Sequence, residues 1–361
     1  MRIYQRLTCI TFTLLFAVTL TSYANPLYSH VIFFGDSLSD TGNNTWCKIT
    51  DIPPSVQRGA PITNRLHKPT PNNPLWVNHF AANTTLPFKT SALKTYTELS
   101  QTERSTYSNN INYAWASAET GDTYLNDLSS LPYSPINTDC ARPGQIDENT
   151  SCVPGVLEQI RLYLQDIKGH PDPQALFIIW AGGNDLFNNI IKMLGPKPRP
   201  DLSHPVDNLH TAVATLIYQH VPRSHIYVIN MPNIAETPAG RDLINGRFFK
   251  ALLVKTISYG YNTLLNLELT HRMPWQDNID TNLPPGHVIS GAQLFNHILT
   301  STETQKEFGL NNVIDACTAS YTSQFPQCDG YLFFNNKHPT ITAGTYISAN
   351  VLQQIAAKPS R

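Results

Sequence analysis

Three places in the sequence hold residue types that could do acyl chemistry together. Val31–Phe34 is an unbroken apolar run that stops on Gly35, Asp36 and Ser37, with Gly42, Asn43 and Asn44 close behind. Such a break reads as a buried parallel strand ending in a functional loop. In open α/β sheets the carboxyl ends of strands are where ligands and chemistry sit. Ser37 would have backbone N–H groups beside its hydroxyl there, suited to a developing negative charge. A hydroxyl nucleophile also needs a base, a group to orient that base, and donors aimed at the oxyanion. His338, in Lys337-His338-Pro339-Thr340, is the base candidate, because Pro339 stiffens the loop and Thr340 can cap a following helix. Asn184, in WAGGNDLF, is the oxyanion candidate: its amide can donate, and Gly183 leaves room for close approach. Taken singly, each has a plainer reading as a turn, a helix cap or a loop histidine. The combination is what carries chemistry.

The strings that hold these residues have a common likeness. GDSLSDTGNN (35–44) resembles the first block of the GDSL esterases and lipases, the SGNH hydrolases. WAGGNDLF resembles their third block and YLFFNNKHPT their last. The resemblance implies that Ser37 is the nucleophile and His338 the base, with Asn184 and the backbone of Ser37 in the oxyanion hole. The second block is less faithful: Asn112-Tyr113-Ala114 matches, but Ala116 and Ser117 replace a glycine pair. Counting from Asn112 puts the backbone N–H of Ser117 in the donor position, with Gly121 as a substitute.

The larger departure lies three residues before the histidine, where the family has Asp and this chain has Asn335. An asparagine keeps an acceptor for the imidazole but loses the charge. In a serine protease such a change costs about 10⁴ in turnover, whereas cysteine proteases work with Cys-His-Asn. Three readings stand: an active Ser37–His338–Asn335 set, replacement of the acid by Asp329 or Asp315, or an inactivated relative that still binds lipid or glycan.

Elements able to bring these residues together alternate along the chain. Short apolar strands are expected at 31–34, 176–180 and 226–230, with a further short one at 288–289. Amphipathic helices are expected from about Val153, around Leu209–Ile217, over Gly246–Leu269 and at the C-terminus through Ile347, Val351 and Ile355. Ser91–Asn110 reads as a polar surface excursion and Thr120–Thr150 as a long irregular insertion. Strand–helix alternation without repeats specifies a parallel sheet covered on both faces. The resemblance sharpens this to a three-layer α/β/α sandwich, flavodoxin-like, with five parallel strands. One domain is expected over residues 25–361, with insertions near 85–110 and 120–152.

The chain has 361 residues, 41% of them hydrophobic and 14% charged, with a net charge of −1. No basic stripe points to nucleic acid. Metal and phosphate-loop motifs are missing, so no cofactor or metal is expected. Arg2 and Arg6 precede the apolar stretch Leu7–Leu20, and Ser22 and Ala24 supply small residues before a cleavage point. This predicts an export signal over residues 1–24, cut after Ala24. Oxidising surroundings then favour bridges, most economically Cys140–Cys152 and Cys317–Cys328, leaving Cys47 over. The resemblance is nearest to the secreted bacterial lysophospholipases, phospholipases A and lipid acyltransferases. It implies a secreted acyl-ester hydrolase on phospholipid or lysophospholipid, with transient membrane contact and no obligate protein partner. An esterase of short or sugar esters would share the machinery.

Overall fold

The computed structural model describes residues 28–43, 75–122, 124–127, 134–136, 144–145, 150–195, 201–271, 281–317, 328 and 330–357. The expected signal segment, Cys47, Cys140 and Asp329 lie outside the described residues.

Strand β1 (Val31–Gly35) is buried along its whole length. It is followed by helix α1 (Trp76–Ala81), edge strand β2 (Leu93–Thr95), helix α2 (Gln101–Arg104) and strand β3 (Asn110–Asn112). Strands β4 (Tyr124–Asp127), β5 (Ser134–Ile136), β6 (Gly144–Gln145) and β7 (Thr150–Val153) form a small antiparallel sheet of order β5-β4-β7-β6. The chain returns through helix α3 (Val156–Asp166), strand β8 (Leu176–Trp180) and helices α4 (Gly183–Leu194) and α5 (Ser203–Tyr218). Strand β9 (Ile226–Ile229), helices α6 (Pro238–Ile244) and α7 (Phe248–Thr270), and strand β10 (Val288–Ile289) follow. Helices α8 (Gly291–Thr300) and α9 (Thr302–Glu307), strands β11 (Asn312–Ala316) and β12 (Tyr331–Phe333), and helix α10 (Ile341–Ala356) complete it.

The main sheet has the order β10-β9-β8-β1-β3-β2, with every pair parallel. Without β2 the order reads 2-1-3-4-5, the flavodoxin-like arrangement. Among the described residues the sheet therefore has six strands rather than five. The sixth comes from the segment read as a surface excursion: three residues of β2 pair with β3 at the edge, too short to show periodicity. The 120–152 segment likewise carries the antiparallel sheet instead of irregular chain.

Side chains on β1 explain the layering. Successive residues of a strand face opposite sides. Phe33 meets Trp76 and Phe80 of α1 edge-to-face, while Phe34 meets Tyr113 and Tyr163, the latter on α3. Helix α1 packs on α10, whereas α3 packs on α5 and α5 on α7. Two helical layers thus enclose the sheet. The aromatic contacts contribute about 0.5–1.5 kcal/mol each beyond the area they bury. Because β1 lies between β3 and β8, its carboxyl end opens at the point where the strand order reverses, the expected seat of a site.

Candidate active site

The residues after β1 leave the sheet through a tight fixed turn. Gly35 passes so close to β8 that a Cβ there would lie 2.3 Å from the Trp180 carbonyl oxygen. Buried Gln159 of α3 holds Gly35 from both sides, accepting from its N–H at 2.9 Å and donating to its carbonyl at 2.8 Å. The backbone N–H groups of Ser39 and Asp40 both donate to the Asp36 carbonyl at 3.0 Å. The Asp36 carboxylate accepts from the Leu38 N–H at 2.9 Å. Between these anchors Ser37 is half-buried and faces the cleft.

His338 arrives from the other end of the chain on a loop closed at several points. The Phe334 N–H donates to the His338 carbonyl at 2.8 Å, and the Ala239 N–H of α6 donates to the Asn336 carbonyl at 2.8 Å. Lys337 lays its Nζ 4.1 Å from the centroid of the Phe187 ring on α4. Strand β12, which leads into this loop, pairs with β11, and the Cys317–Cys328 disulfide joins the end of β11 to the approach of β12.

These supports bring Ser37, His338 and Asn335 together. His338 Nε2 lies 2.7 Å from Ser37 Oγ, and His338 Nδ1 lies 3.0 Å from Asn335 Oδ1. The same amide oxygen accepts from the backbone N–H groups of Lys337 at 2.9 Å and His338 at 2.8 Å. Those two donors fix which end of the amide faces the ring, so Nδ1 carries the proton and Nε2 presents a lone pair to the hydroxyl. Asp315, the described alternative acid, is exposed and accepts from Asn312 at 2.9 Å.

Asn184 sits in the first turn of α4 and lines the same cleft as Ser37 and His338. Its Nδ2 donates one hydrogen to the Ala118 carbonyl at 2.8 Å, which positions the amide and leaves a second hydrogen. Ser117, the neighbour of Ala118, has φ +69°, the left-handed region where glycine is at ease. A serine is held there because Ala118 N–H closes a turn onto the Trp115 carbonyl and Ala116 N–H donates to Asp40 at 2.7 Å. Among the described residues nothing accepts from the backbone N–H of Ser37 or of Ser117. Ser117 is not among the cleft-lining residues, and the Asn184 bond to the Ala118 carbonyl ties the turn it occupies to the cleft wall.

A family model described as GDSL-like Lipase/Acylhydrolase matches residues 31–348. The chain belongs to the GDSL-like lipase/acylhydrolase family. No curated protein gave a match. In this GDSL-like acylhydrolase, as in others, hydrolysis of ester bonds is the family chemistry, carried on an α/β fold with a parallel sheet.

Several roles in the site escaped the sequence reading. Asp40 spans two motif blocks, accepting from Gly42 and Asn43 with one oxygen and from Ala116 with the other. Asn43 and Asn112 tie the same segments, Asn43 donating to the Asn112 and Ala114 carbonyls and Asn112 donating to Ser39 O. Asp36 and Asp185 lie fully buried beneath the motifs, and burial pushes each carboxyl up to about 7. Asp185 accepts from both the hydroxyl and the N–H of Thr120. Their only sequence signal is an aspartate beside each motif serine or asparagine.

The cleft is open to solvent and is walled by Leu38, Phe187, Met231, Ile234, Phe295 and Phe333. Small-molecule sites are likewise mostly apolar, with a few convergent polar groups.

Proposed function

We propose that this GDSL-like acylhydrolase is an exported serine hydrolase of phospholipid or lysophospholipid acyl esters. Ser37 attacks the ester carbonyl while His338 takes its proton through Nε2. Asn335 holds the imidazole in the required tautomer. The oxyanion is met by the N–H of Ser37, the free amide hydrogen of Asn184 and the N–H of Ser117. His338 then protonates the departing alcohol, and water, or an alcohol in acyl transfer, releases the acyl group.

The observation that carries this reading is the unbroken line Ser37–His338–Asn335 at 2.7 and 3.0 Å on the rim of an apolar cleft. The cleft wall suits an acyl chain. Lys337, the only lysine or arginine among the described residues that line the cleft, favours an ester bearing a phosphate close to the scissile bond. The Cys317–Cys328 bridge is compatible with an oxidising compartment.

The test is fatty-acid release by the purified chain from lysophosphatidylcholine, monoacylglycerol and short nitrophenyl esters. The reading expects the lysophospholipid to be turned over best, and Lys337→Met to raise its KM without affecting the neutral esters. A preference for short neutral esters in the wild type would replace the lipid assignment. No turnover of any ester, with a sharp rise on Asn335→Asp, would identify a binding relative instead.

A further inference from the structure

The outer face of α7 is apolar and cationic, and no element among the described residues covers it. Its inner face is committed: Val254, Ile257, Tyr261 and Leu265 are buried, and Asn262 bonds both the N–H and the carbonyl of cleft-lining Met231. Ser258 lies 3.3 Å from the N–H of Ile234, another cleft residue. On the outer side Phe248 is 73% exposed, Phe249 83%, Leu252 54% and Tyr259 74%. At 3.6 residues per turn, Phe248, Leu252 and Tyr259 fall within about 40° of one another around the helix. Monomeric proteins seldom expose contiguous large apolar side chains unless something docks on them.

Charge decides what docks. Lys255 is exposed on this face, Arg247 is exposed at the N-cap of α7 directly before Phe248, and Lys250 is half-buried. From Leu243 to Leu267 the sequence contains no aspartate or glutamate. A second copy across a two-fold axis would bring cations against cations. Aromatic and leucine side chains flanked by Lys and Arg match the pattern of an interfacial helix on an anionic lipid surface. Among the described residues no helix is long and apolar enough to cross a membrane, so α7 would lie on the surface and not through it. The cleft is near: Thr237, the N-cap of α6, lines it, and α6 has seven residues, about 10 Å, before the chain turns into α7.

We infer that Phe248, Phe249, Leu252 and Tyr259, with Arg247 and Lys255, form the surface by which the protein docks onto anionic phospholipid bilayers. This rests on the lipid reading above. It adds the surface that holds the enzyme at its substrate: α7 lies against the headgroups, and Met231 and Ile234 of the cleft wall are hydrogen-bonded to its inner side.

The experiment is co-sedimentation with phosphatidylcholine vesicles, with and without phosphatidylglycerol, using Ser37→Ala protein so that no lipid is consumed. The expected result is at least tenfold tighter binding to the anionic vesicles, weakened by salt. Phe248→Ser/Phe249→Ser/Leu252→Ser should lose at least tenfold on both compositions. In the otherwise wild-type enzyme the triple variant should still cleave a soluble nitrophenyl ester, which also verifies its folding. Arg247→Glu/Lys255→Glu, altered only at exposed positions, should lose the preference for anionic vesicles. No vesicle binding by the parent, undiminished binding by both variants, or a dimer that the triple substitution splits would overturn the inference. Vesicle binding without hydrolysis of any phospholipid would uphold the docking surface and remove the lipid substrate from the proposed function.

Discussion

The amide oxygen of Asn335 collects three donors, two of them backbone N–H groups, and this changes what the loss of the family aspartate should cost. In a serine protease the Asp→Asn change costs about 10⁴ because the asparagine favours the wrong imidazole tautomer. Here the amide cannot turn without leaving two N–H groups unpaired, so the tautomer is preserved and only charge is missing. Asn335→Asp should therefore raise kcat by about 10- to 100-fold, well short of that 10⁴; steady-state kinetics on one ester decide it. Asn184→Ala should lower kcat by about 10²–10³ with little effect on KM, the signature of a donor used mainly in the transition state. Ser117→Gly should keep activity, since the proposed donor is a backbone group. It should stabilise the fold by up to about 1 kcal/mol in urea titration by relieving the left-handed φ. A large loss of activity from Ser117→Gly would mean that the side chain itself works in the site.

At the scale of elements, β11, β12 and their disulfide hold the histidine loop. Closing a loop of this length constrains the unfolded chain by about 3 kcal/mol. Cys317→Ser/Cys328→Ser, or reduction, should lower the melting temperature and also kcat, because β12 runs straight into the Asn335–His338 loop. An unchanged kcat would show that the hydrogen bonds to Phe334 and Ala239 suffice. The same elements show what a sequence does and does not disclose. Strands β1, β8 and β9 were legible because each is buried on both faces and reads as an unbroken apolar run. Edge strand β2 and strands β4 to β7 were not, being short and polar. Ser37, Asn184 and His338 stood out because local motifs surround them. Gln159, which clamps Gly35, did not, because the two are 124 positions apart and a glutamine on an amphipathic helix looks like a surface residue. The left-handed turn at Ser117 was equally silent, since serine gives no hint of positive φ.

Over the whole molecule, the buried carboxyls make stability depend on pH. Burial raises Asp36 and Asp185 from the ordinary aspartate value to about 7. Between about pH 4 and 7 the folded protein then holds protons that the unfolded chain releases, so these two groups lower stability as pH rises through that window. His30 acts the other way: burial depresses it to about 4, and its effect raises stability as pH climbs from 4 to its unfolded value. The wild-type curve mixes both, so the clean measurement is a difference. Urea unfolding of Asp185→Asn against wild type should show the variant gaining relative stability from pH 5 to pH 8, and a constant difference would refute the buried-acid account. The central claim is that folding brings the hydroxyl of Ser37 to the imidazole of His338 across 301 positions of sequence. Its most direct test is peptide mapping after treatment with a fluorophosphonate. One adduct on Ser37, lost in His338→Ala, is the predicted result; no adduct on folded protein, or an adduct on another serine, would contradict it.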